Sequence, residues 1–118
     1  MSGLTVREMI RDIHKETLLP SELSPDRAAE LLMMLSSLIS NVAEEIREAD
    51  AIYAAVLLGY LDSESKANRA KIRAEISPEF KRKQEARDVM MLVTELSRSL
   101  KYFLRVKSEE MRLSGSQK

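Results

Sequence analysis

Residues 28–60 read AAELLMMLSSLISNVAEEIREADAIYAAVLLGY, and the spacing of their apolar side chains decides the fold class. Ala28, Leu32, Leu35, Ile39, Val42, Ile46, Ala49, Tyr53, Val56 and Tyr60 follow one another by alternating steps of four and three. A helix turns once every 3.6 residues, so this spacing keeps all ten on one stripe, a heptad seam of the coiled-coil type. The phase runs on through Ser63, Ala67, Ala70 and Ala74, where small side chains let a partner helix come close. Gly59 and the run Asp62-Ser63-Glu64-Ser65 mark where such a helix would kink.

Working outward, serine–proline pairs set the ends. Ser24-Pro25 and Ser77-Pro78 each offer a capping hydroxyl followed by a proline whose missing N–H costs nothing in the first turn. Thr5-Val6-Arg7-Glu8 has the form of a capping box. The prediction is a single helical domain over 1–118: a short helix 5–18, a long helix 25–76 read as continuous because the phase is kept, with 59–65 its candidate kink, a helix 78–113 and a frayed tail 114–118. Val89, Val93, Leu96, Leu100 and Phe103 form the apolar stripe of the last helix. The fold class is therefore all-α, an elongated antiparallel, coiled-coil-like helical hairpin with an additional short N-terminal helix lying over the start of the long one. Turning the chain at residue 77 predicts that Tyr60 meets Thr94, Tyr53 meets Lys101 and Ile46 meets Ser108.

Composition agrees with helices. Aromatic residues make up 4% of the 118, glycines number three, and charged residues reach 32%, a mixture unsuited to a β-sandwich or barrel. Without cysteine there is no disulfide, thiolate metal site or cysteine nucleophile. His14 is the single histidine, and glycine is too scarce for a phosphate-cradling loop, so the expectation is no enzyme, no metal and no cofactor. No apolar run is long enough to cross a bilayer and the N-terminus lacks the pattern of a secretory leader. The expected location is the cytosol, with no membrane partner.

The net charge of zero conceals a division. Residues 1–65 hold twelve acidic and five basic side chains, and the remainder seven acidic and fourteen basic. In the register above, Glu44, Glu45, Glu48 and Asp50 lie opposite the basic run of the last helix, and Lys66 and Arg69 reach Asp88 and Glu85. Lys71, Arg73, Lys81, Arg82 and Lys83 are left crowded about the Ser77-Pro78 corner. Five cations at the end of a hairpin attract a phosphate backbone, so they are the candidate contact with DNA or RNA. The rival surface is apolar. Leu31, Leu32, Met34, Leu35, Leu38 and Ile39 cover nearly every face of their helix, more than one short helix can bury, which points to a second copy of the chain or to a protein partner.

The C-terminal third also carries Ser77-Pro78, Glu95, Ser99-Leu100-Lys101-Tyr102 and Glu109-Glu110-Met111-Arg112. In these steps it resembles small helical proteins of unknown activity encoded by tailed bacteriophages. The resemblance implies an accessory role near replication or recombination, in a bacterial or infected-host cytosol. Together these readings predict a non-enzymatic accessory protein touching nucleic acid through a basic hairpin tip. The alternatives are an adaptor or inhibitor working through the apolar face, and a purely structural helical oligomer.

Overall fold

A computed structural model describes residues 5–116. Its order is α1 (Val6–Thr17), a 3₁₀ turn (Pro20–Glu22), α2 (Pro25–Ser63), α3 (Ala67–Glu75) and α4 (Pro78–Ser116), with no strand among the described residues. The fold is all-α, an antiparallel helical hairpin preceded by a short helix. No helix among the described residues is long and apolar enough to cross a membrane.

Each proline-led start is capped by the serine before it. Ser24 Oγ accepts from Arg27 N at 3.1 Å, and Ser77 Oγ accepts from Phe80 N at 3.3 Å. Thr5 Oγ1 likewise accepts from Glu8 N at 3.1 Å and opens α1. At the far end α4 continues to Ser116, so the expected frayed tail is helical over 114–116, and residues 117–118 lie outside the described ones.

The long helix expected over 25–76 is two helices. Backbone hydrogen bonding holds α2 to its end, where Glu64 N donates to Tyr60 O at 2.9 Å, and Lys66 then takes an extended conformation (φ −123°, ψ 128°). Serine and aspartate are weak helix formers because their side chains bond the nearby backbone instead, and Ser63 Oγ does so, donating to Tyr60 O at 3.3 Å. Gly59 plays no part: it sits inside α2 without a left-handed φ. The corner of the hairpin is thus Glu64–Lys66 and not Ser77-Pro78. At the latter the chain only kinks, with Ser77 N donating to Ala74 O at 3.1 Å.

The chain divides into two units, and α2 and α4 contribute to both. The first comprises residues 5–39 with 92–116. Ile10 and Ile13 of α1, Ala28, Leu31, Leu35 and Leu38 of α2, and Val93, Leu96 and Leu100 of α4 are its buried side chains. A fork from Arg27 to Glu16 ties α2 to α1, with Nη2–Oε1 2.7 Å and Nε–Oε2 2.8 Å. These hydrogen bonds hold the Glu16 carboxyl below its usual 4.5. The first helix therefore lies over the start of the long one, as its sequence suggests.

The second unit is Ser40–Met91. Its buried side chains are small, Ala49, Ala70, Ala74 and Ala86, with Val42 and Tyr53. Glu64 meets Arg73, Tyr53 meets Phe80, and Asp50 and Glu45 meet Arg87 and Arg82, so partner numbers rise from the end of α2 back toward its middle. That is the antiparallel order, in a different register from the one expected: Tyr53 faces Phe80 and not Lys101.

Candidate interaction surfaces

The new register redistributes the charges. Arg82 donates a fork to Glu45, Nη2–Oε1 2.7 Å and Nε–Oε2 2.9 Å, and lies 3.5 Å from Glu48. The Glu45 hydrogen bonds raise its guanidinium above the ordinary arginine value. Arg73 pairs with Glu64 at 3.0 Å, and Lys81 reaches Glu85 at 4.0 Å one turn on. Lys83 Nζ sits 4.6 Å from the Tyr53 ring centroid, and that ring packs on Phe80 at 5.2 Å and 56°. A cation over a ring face is held by the ring's quadrupole.

Of the five cations predicted to form a free tip, Lys71 alone is exposed without a partner among the described residues. The other four are occupied inside their own unit, because the corner lies beyond them and carboxylates of α2 come alongside. Asp50, expected opposite the C-terminal basic run, takes Arg87 at 2.7 Å. Lys66 and Arg69, expected to reach Asp88 and Glu85, are exposed and have no partner among the described residues.

The predicted apolar face is also divided. Leu31, Leu35 and Leu38 are core, while Leu32 is half-buried and Met34 and Ile39 are exposed. Leu32, Ser36 and Ile39 line one side of a shallow groove of about 250 Å³, with Val93, Thr94, Ser97, Arg98 and Lys101 on the other. The groove is open and its polar rim is cationic. Among the described residues no group of three or more acidic or histidine side chains gathers as a metal site.

No family model, curated protein or solved structure matches this chain.

A further surface lies on α4, on the side away from Val93, Leu96 and Leu100. Glu95, Arg98, Tyr102, Arg105, Glu109 and Arg112 follow steps of three and four and are all exposed. Arg105 stands 5.6 Å from the centroid of the Tyr102 ring, which is 62% exposed, and Arg112 pairs with Glu109 at 2.7 Å. Glu95 and Arg98 have no partner among the described residues. In the sequence this stripe is inconspicuous because it is mostly charged, and charge on a helix ordinarily means solvation. Its 3–4 spacing was the available signal.

Proposed function

We propose that this chain is a non-enzymatic helical interaction protein that works as a homo-oligomer. The observation that carries the reading is the large apolar side chains left exposed within each unit. Met33, Tyr102, Met111 and Leu113 in the first unit, and Leu58, Ile72, Ile76 and Met91 in the second, are each more than half exposed. Sedimentation equilibrium at micromolar concentration is expected to give a mass at least twice that of the chain. A single species at 13.4 kDa over the whole range would sink the reading.

Contact with a nucleic-acid backbone is the second reading, now favoured by a different set of cations. Lys66, Arg69 and Lys71, at the head of α3, are exposed and without a partner among the described residues. Fluorescence anisotropy with labelled duplex at low and moderate salt tests it. Replacing all three by glutamine is expected to flatten the log–log salt slope by up to about three, since each phosphate contact contributes roughly 0.9. An unchanged slope, or no binding at low salt, removes this reading.

A further inference from the structure

We infer that α4 pairs antiparallel with α4 of a second copy along the stripe Glu95, Arg98, Tyr102, Arg105, Glu109 and Arg112. The inference rests on the reading of the chain as a homo-oligomer and names the face that joins it. Its warrant is charge complementarity of the stripe with itself. In an antiparallel helix pair, positions three and four apart on one helix meet the same series reversed on the other. A two-fold axis passing between Phe103 and Leu104 sets Glu95 against Arg112 of the second copy, Arg98 against Glu109, and Tyr102 against Arg105. Each contact occurs twice. Both charged pairs are opposite in sign, and the third sets a cation beside a ring.

A parallel alignment fails the same test, and an antiparallel one shifted by a heptad keeps only two of the three kinds of layer. A parallel, in-register pair would lay Glu95, Arg98, Arg105, Glu109 and Arg112 each on its own copy, five like-charge layers out of six. The antiparallel pairing has none in the stripe. It is also isologous, so it closes at two copies and leaves no open end to propagate.

The stripe stands ready within one chain. All six side chains are exposed, and Glu95 and Arg98 are free of partners among the described residues. Glu109 and Arg112 satisfy each other at 2.7 Å, and Arg105 lies over its own Tyr102. Pairing exchanges those contacts between copies and gives Glu95 and Arg98 the partners they lack. Val106 and Leu113 flank the stripe on one side, and Tyr102 is 62% exposed at its middle, so association also withdraws apolar surface from water.

The test is sedimentation equilibrium of the full chain at low and high salt, run on the native protein, on Arg98→Glu and on Arg98→Glu/Glu109→Arg. Circular dichroism checks that the variants stay helical, as changes at exposed positions should. Arg98→Glu places like charges opposite each other twice, and the dimer is expected to weaken at least about tenfold at low salt, with a smaller effect at high salt. The double exchange restores opposite signs and is expected to return association to within about threefold of native. A native oligomer indifferent to Arg98→Glu, or one weakened by it and not restored by the exchange, overturns this interface and leaves the homo-oligomer reading standing. A native chain that is monomeric throughout overturns both.

Discussion

Leu35→Ala is expected to lower the stability of the protein by about 2–5 kcal/mol. Leu35 is fully buried midway along α2, between the buried Leu31 and Leu38, in the unit that also buries Ile10, Ile13, Val93, Leu96 and Leu100. Truncation removes its share of transfer free energy and leaves a cavity that rigid helices fill poorly. Whole domains of this size are stable by only about 5–15 kcal/mol, so the variant should unfold at much lower urea with an unchanged slope. Protein concentration must be held constant, because association adds to apparent stability. Two controls sharpen the result. Met33→Ala, at a side chain 74% exposed, should stay within about 0.5 kcal/mol of native. Leu32→Ala, half-buried, should cost clearly less than Leu35→Ala; equal costs would mean that the buried seam has been assigned to the wrong leucines.

That contrast marks where the sequence was legible and where it was not. Caps act within four residues, so Ser24-Pro25 and Ser77-Pro78 declared two helix starts correctly. The apolar spacing declared helices but left the seam ambiguous, because residues 31–39 offer apolar side chains at both choices. Ala28, Leu35, Val42 and Ala49 belong to the predicted and the observed seam alike. Their companions are Leu31 and Leu38, not Leu32 and Ile39. Only the direction from which α1 and α4 arrive selects between them.

The corner was missed for a related reason. Ala70 and Ala74 keep phase with α2, and small residues in phase suit a helix that continues as well as one that turns back. Both alanines are in fact buried in α3, past the break. Every expected ion pair depended on the register, so moving the corner from Ser77-Pro78 to Glu64–Lys66 re-partnered the charges together. The stripe on α4 could be recognised only after Val93, Leu96 and Leu100 had defined the opposite face.

Ala74→Leu is the second large effect, expected to cost about 1–3 kcal/mol by overpacking. Ala70 and Ala74 are fully buried, and the other small members of that unit's core, Ala49 and Ala86, show how little room the packing leaves. Three added carbons must displace a helix or adopt a strained rotamer. The displaced element should be α3. It has nine residues, fewer than the roughly 12–15 an isolated helix needs, and no side-chain cap at Lys66, so its helicity depends on this contact. Hydrogen exchange is therefore expected to show the α3 amides losing protection in Ala74→Leu while those of α1 keep theirs. Ile76→Ala is the informative comparison, because Ile76 is 80% exposed and its loss should leave α3 protected. Full protection of α3 in Ala74→Leu would show that the alanines are not its anchor. Loss of protection would instead establish that α3 carries Lys66, Arg69 and Lys71 on a surface held in place by two methyl groups.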